Sequence, residues 1–196
     1  LAKAAAAKGG FYATRMRSEG DEILEAIEEV ISLVKATGIR AEISHLKTSA
    51  KRNWHKIDAV LDKLDAAVSA GLLLGSDRYP YCAAGTDLDV VFPDWAGEGA
   101  AKAECVRLAD AATRSRIIAE IDASSRDWSQ VMIGGTWHQD NKQYSGRFVS
   151  AILQEAGANS PGELVCSILA KDECRTGAFF FGMSEDNLAK IYSRPW

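Results

Sequence analysis

Apolar positions in the first half of the chain follow two alternating rhythms. Ile23, Leu24, Ile27, Val30, Ile31 and Val34 keep the i, i+3, i+4 spacing of one helix face. That run opens on the acidic stretch Ser18-Glu19-Gly20-Asp21, which suits a helix start, and stops at Gly38. Trp54, Ile57, Val60, Leu61, Leu64 and Val68 repeat the pattern across 53–70 and stop at Gly71. Between these helices lie short apolar segments, Gly10 to Ala13, Ile39 to Ser44 and Leu72 to Ser76. Their length and bounding turn residues predict buried strands. The order β-α-β-α-β, with about 30 residues or more per strand-helix-strand unit, predicts a parallel sheet covered by helices. Leu1 to Gly10 reads as a strong helix former that ends in a Gly pair.

The rhythm breaks after Tyr81. Residues 80–103 are rich in Gly, Pro, Asp and Trp and read as a long loop or insertion. A helix is predicted over 112–121, and a short strand over 130–133 that runs into Gly134-Gly135-Thr136-Trp137-His138. Helices follow over 146–156 and 161–171, the second with Ser160 as cap and Pro161 in its first turn. Ala178 to Phe181 reads as a short strand, and Ser184 caps a last helix. The expected division is βα units over 1–86, an inserted subdomain over 87–144, and a return to the first architecture over 145–196.

Each of the three predicted strands ends in a polar cluster: Thr14-Arg15-Met16-Arg17, His45-Leu46-Lys47 and Asp77-Arg78-Tyr79-Pro80-Tyr81. Chemistry in parallel α/β proteins gathers at the carboxyl ends of the strands, so the spacing predicts one shared site. His45 there is a metal ligand, a general base or a satisfied core histidine. Lys47 lies on the same face if the strand continues. With Arg17, Arg78, Tyr79 and Tyr81 it would make a cationic, hydroxyl-bearing pocket for a carboxylate; the alternative is a solvated rim of loops. Trp137-His138 suits a turn with a buried Trp better than a catalytic loop, and His55 reads as a surface residue on its helix.

Composition narrows the classes. A net charge of −4, with Lys and Arg scattered, gives no basic face for nucleic acid. No apolar run approaches the roughly 18 residues that cross a bilayer, and residues 1–10 lack a signal-peptide core. The expected location is cytoplasmic, with no membrane partner. Cys82, Cys105, Cys166 and Cys174 form no CxxC pair and are expected as reduced thiols. No GxGxxG, P-loop, GxSxG or HExxH occurs. Both ends read as cut from a longer chain.

Residues 12–21 (Tyr12-Ala13-Thr14-Arg15-Met16-Arg17-Ser18-Glu19-Gly20-Asp21), Ile43-Ser44-His45-Leu46-Lys47, Asn53-Trp54, Asp77-Arg78-Tyr79-Pro80-Tyr81 and Phe179 to Glu185 together resemble the N-acyl-D-amino-acid deacylases, the D-aminoacylases of the amidohydrolase superfamily. The resemblance runs along nearly the whole chain. It implies an α/β fold that is part of a (β/α)8 TIM-type barrel, the region of strands five to seven, with an inserted subdomain. It implies hydrolysis of the amide of a small N-acyl-D-amino acid by a zinc-activated water in the complete enzyme. On the family pattern His45 is the strand-six zinc ligand, while Lys47, Tyr79 and Arg17 are substrate-binding. Arg15 stands where the family has a strand-five His, and a guanidinium carries no lone pair for a metal. The family's HxH pair, bridging Cys and catalytic Asp have no counterpart in the sequence, so no catalytic residue is assigned and weak zinc binding without detectable hydrolysis is expected of this chain. The alternatives are a non-catalytic derivative that keeps a carboxylate-binding pocket, or an α/β interaction module. Exposed barrel edges imply self-association.

Overall fold

The computed structural model describes residues 1–196. In chain order the elements are α1 (Ala2–Ala6), β1 (Phe11–Thr14), α2 (Ile23–Thr37), β2 (Arg40–Ile43), α3 (Ile57–Ser69), β3 (Leu74–Ser76), β4 (Ala83–Asp87), α4 (Asp94–Gly97), α5 (Ala100–Ala109), α6 (Ala111–Asp122), β5 (Val131–Ile133), α7 (Val149–Ala156), α8 (Pro161–Lys171), β6 (Gly177–Phe181) and α9 (Glu185–Tyr192). They fall into two compact units, 1–82 with 182–196, and 83–181.

The first unit is the predicted parallel sheet. Its strands lie in the order β1-β2-β3, with Phe11 opposite Arg40 and Ala41 opposite Leu74. Ile23, Ile27 and Val34 of α2 and Val60, Leu61 and Leu64 of α3 are buried with Ala41, Ile43 and Leu74 of the sheet in one apolar cluster. Five of the six α2 positions expected on the apolar face are buried; Leu24 is partly covered, and Ala26 is buried as well. Gly38 closes α2 in the left-handed region at φ 66°, where a Cβ would be strained. The short α1 ends at Ala6, and the amides of Gly9 and Gly10 donate to Ala6 O and Ala5 O.

The chain comes back to this unit at its end. Ser184 Oγ accepts from Asn187 N and caps α9, as the sequence predicts. Asn187 Nδ2 donates to Thr48 Oγ1 and Trp54 O, Trp54 Nε1 donates to Gly182 O, and Trp196 Nε1 donates to Asp65 Oδ1.

The second unit is an antiparallel sheet in the order β4-β6-β5 with helices packed on it. Its core holds Leu88, Ile117, Ile121, Ile133, Val149, Ile152, Val165 and Ile168. α8 crosses α6 closely: Gly162 N donates to Asp122 Oδ1 at 2.7 Å, and a Cβ at 162 would lie 2.7 Å from Ile118 O. Ser160 and Pro161 start α8 as expected. After α8, buried Asp172 accepts from Trp137 N, His138 N, Asn141 Nδ2 and Thr176 Oγ1. Burial pushes its carboxyl up, but these donors outweigh that and hold it below the usual range.

The three parallel strands form a small open sheet with no closed barrel. Other expectations are corrected. The unit boundaries fall at 82/83 and 181/182 in place of 86/87 and 144/145, because Val149, Ile152 and the apolar face of α8 share a core with β5 and β6. Residues 80–103 are not one loop: they contain β4, α4 and the start of α5. α7 begins at Val149, after Gly146 has taken a positive φ of 77°. Trp137 is exposed, with the Arg175 guanidinium 4.9 Å over its ring. His55 is exposed, as expected. No helix is long and apolar enough to cross a membrane.

Candidate functional site

The three strand-end clusters do meet, all within the first unit, but by a different route from simple strand alternation. β2 stops at Ile43, and His45 turns the chain at a positive φ of 45°, a region uncommon for a residue with a side chain but more open to His than to most. Asp77 holds this turn: its Oδ1 accepts from His45 N at 2.7 Å and its carbonyl accepts from Leu46 N at 2.9 Å. The turn folds Lys47 back, so that its Nζ donates to His45 O at 2.9 Å. Lys47 therefore reaches His45 without an extended strand.

Glu19 completes the arrangement. Its Oε1 accepts from Lys47 Nζ at 2.6 Å and lies 2.7 Å from His45 Nδ1, while its carbonyl accepts from Ser49 N. Lys47 Nζ also meets His45 Nδ1 at 2.9 Å, and an ammonium only donates, so Nδ1 is the acceptor and the ring proton sits on Nε2. The three ammonium protons thus face Glu19, His45 O and His45 Nδ1. Lys47 is 6% exposed; burial pushes its ammonium below the ordinary lysine range, and the Glu19 carboxylate opposes that shift.

Cations dominate the surroundings. Arg78 is 9% exposed, and its Nε and Nη1 have no hydrogen-bond partner. Its Nη2 donates to Tyr81 O at 2.8 Å and its guanidinium stacks on the Tyr79 ring at 3.9 Å. Lys47 Nζ stands 5.6 Å from the same ring. Tyr79 OH has only Met183 Sδ, at 3.7 Å, as a weak partner. Arg15, exposed at the end of β1, and Arg78 both bear on Lys47 as like charges.

Two expected members stay outside. Arg17 pairs with Glu22 and, at 2.6 Å, with Glu29, on the exposed side of α2. Tyr81 is 66% exposed and contributes only its carbonyl. In the other direction, Glu19 is central and the sequence reading placed it only as a helix-start acid. α2 in fact begins at Ile23, and its N-cap Glu22 makes no side-chain cap bond. The acids before it tie down the segment after β2: besides Glu19, Asp21 accepts from Arg52 and Asn53.

A zinc ion finds no adequate ligand set here. His45 is one imidazole, but Glu19 is already neutralised by Lys47, Arg15 is a fixed cation, and no three His, Cys, Asp or Glu side chains converge as metal ligands anywhere in the chain. A catalytic zinc takes about three protein ligands.

Parallel strands with polar side chains gathered at their carboxyl ends are the arrangement in which α/β proteins place their binding sites. No protein-family model matches the chain. It is 26% identical to N-acyl-D-glutamate deacylase of Alcaligenes xylosoxydans xylosoxydans over 192 residues, 98% of this chain and 31% of that protein. It is also 26% identical to N-acyl-D-aspartate deacylase of the same organism, over 95% of this chain and 29% of that protein. Among solved structures it matches N-acyl-D-glutamate deacylase of Bordetella bronchiseptica, a complex with zinc and a phosphonate inhibitor, at TM-score 0.68 and 25% identity, covering 100% of this chain and 33% of that one. D-aminoacylase, described as defining a subset of amidohydrolases, matches at TM-score 0.62 and 26% identity, over 97% of this chain and 32% of that one. The chain is a relative of the N-acyl-D-amino-acid deacylases and spans about a third of their length.

Proposed function

We propose that the chain is the substrate-gripping arc of an N-acyl-D-amino-acid amidohydrolase, the counterpart of barrel strands five to seven. The observation that carries this is the cationic cluster at the ends of β1, β2 and β3: Lys47 and Arg78 are buried, Arg15 stands beside them, and Glu19 is the one carboxylate bonded to the Lys47 ammonium. The unpartnered Nε and Nη1 of Arg78, the Lys47 ammonium beside them and the weakly partnered Tyr79 hydroxyl suit the carboxylate of an N-acyl-D-amino acid. Glu19 and Asp77 act by orientation. Glu19 anchors the Lys47 ammonium, and Asp77 holds the turn that carries His45. His45 is the one imidazole of the cluster, a side chain able to exchange a proton or to ligate a metal. In relatives a zinc would activate the attacking water; with Arg15 at the end of β1 this chain binds the substrate anion without turning it over.

The test is hydrolysis of N-acetyl-D-glutamate by the zinc-supplemented chain, followed by release of D-glutamate. No turnover above a His45→Ala control is expected, and clear turnover above that control contradicts the reading. Arg15 also favours a second reading, a protein that has kept the pocket and lost metal chemistry. In a protein that also supplies the remaining ligands, Arg15→His raises zinc occupancy under the first reading and leaves it unchanged under the second.

A further inference from the structure

The second unit carries a pair of thiols that the proposed function does not use. Cys105 on α5 and Cys174 just beyond α8 have their sulfurs 3.6 Å apart, though 69 residues separate them. Cys174 is held there by its fold: it takes a positive φ of 54°, after Glu173 at 53°, and its amide donates to Leu169 O at 2.8 Å. Cys105 is half-buried and Cys174 is 3% exposed. Beside them sits Glu104, 2% exposed, within hydrogen-bond reach of the Cys174 thiol and of Asp89. Glu104 Oε2 has no hydrogen-bond partner at all.

We propose that Cys105 and Cys174 are a redox-responsive dithiol that closes to a disulfide when the protein meets a small-molecule disulfide, with Glu104 as the proton acceptor. A sulfur separation this short closes to a bond by small side-chain rotations. The Cys105 thiolate, its proton lost to water, attacks one sulfur of the oxidant, breaks that S–S bond and releases one small thiolate, which takes up a proton. The Cys174 thiol then gives its proton to the ionised Glu104 carboxylate and attacks the Cys105 sulfur of the mixed disulfide. The second small thiolate leaves and is protonated. Two protein thiols are oxidised and one small disulfide is reduced to two thiols. An open cleft of about 370 Å³ borders Asp89, so the proton held by Glu104 reaches water through that neighbour. The alternative is two thiols that merely pack against each other.

The full chain, unfolded by nothing and treated with glutathione disulfide, is followed by intact mass and peptide mapping. The expected product lacks two hydrogens and links the Cys105 and Cys174 peptides, with Cys82 and Cys166 still alkylatable. Cys174→Ser stalls as a glutathione adduct on Cys105, and Cys105→Ser does not react at Cys174. Glu104→Gln slows conversion of the adduct to the internal disulfide roughly tenfold or more. A stable adduct on Cys105 in the unsubstituted chain, a link to Cys82 or Cys166, or no reaction overturns the proposal. An unchanged closure rate in Glu104→Gln removes that residue from the step.

Discussion

Glu19→Gln is expected to destabilise the first unit by about 3 kcal/mol, the low end of what breaking a buried ion pair costs. The Lys47 side chain is 7% exposed and that of Glu19 13%, so the ammonium left behind is out of water with only the neutral acceptors His45 O and Nδ1 as partners. Glutamine keeps the shape and removes the charge, so the loss reports the pairing and not a cavity. Adding Lys47→Met removes the stranded cation, and the double variant is expected to recover most of the loss, to within about 1 kcal/mol of the parent. Urea unfolding of the parent, both single variants and the double variant closes the cycle. A Glu19→Gln cost of under about 1 kcal/mol would mean that the pair behaves as an exposed salt bridge.

The second large effect lies in the other unit. Burial, and then the neighbouring Asp89 carboxylate, push Glu104 up to about 7 from an ordinary 4.5, and Asp89 is raised in its turn. An acid whose folded pKa is raised holds a proton that the unfolded chain has released. Its contribution is fully present below the unfolded pKa and is lost as pH rises through the folded one. The second unit should therefore lose about 3 kcal/mol of stability between pH 4.5 and 7, with little further change from this group above that window. The two carboxyls titrate as a pair, so the observed midpoint belongs to both. Glu104→Gln should flatten the curve. Urea midpoints for parent and variant at mildly acid and mildly alkaline pH test this, and parallel pH profiles for the two proteins would remove Glu104 as the cause.

The sequence made the first unit easy to read because its helices and strands agree locally with their surroundings. Ile23 to Val34 and Ile57 to Leu64 carry a clear helical period, Gly38 and Gly71 stop them, and the three apolar segments between have no other place than a covered sheet. The second unit was harder for stated physical reasons. β4 is Ala-Ala-Gly-Thr-Asp, without alternation or a β-branched run, and it is a strand because it pairs with Phe179 and its neighbours. α5 buries only Glu104 and Leu108, too few for a visible face. The periods of α7 and α8 show that they are amphipathic and do not show which sheet they cover.

The site was legible in part. His45, Lys47, Tyr79 and Arg78 were singled out, and the structure brings them together. Arg17 was singled out and faces elsewhere. Glu19 was passed over because an acid before a helix already has a sufficient local explanation in the helix dipole. Its distance of 28 residues from Lys47 leaves no periodic trace. The one available signal was chemical: two cations and an imidazole expected at the strand ends need a counter-charge, and Glu19 lies five residues beyond the end of β1.

Binding of N-acetyl-D-glutamate by isothermal titration, to the chain and to Lys47→Met, tests the central claim most directly. Met fills the lysine's space without its charge but leaves the Glu19 carboxylate unpaired, so folding of the variant is confirmed first and the grip on the carboxylate is then expected to be lost. The expected result is measurable binding to the parent and at least a roughly tenfold weaker affinity in the variant, about 1.4 kcal/mol or more. Affinities within about twofold of each other, with both proteins folded, would contradict the assignment of the strand-end cluster as the substrate-carboxylate site.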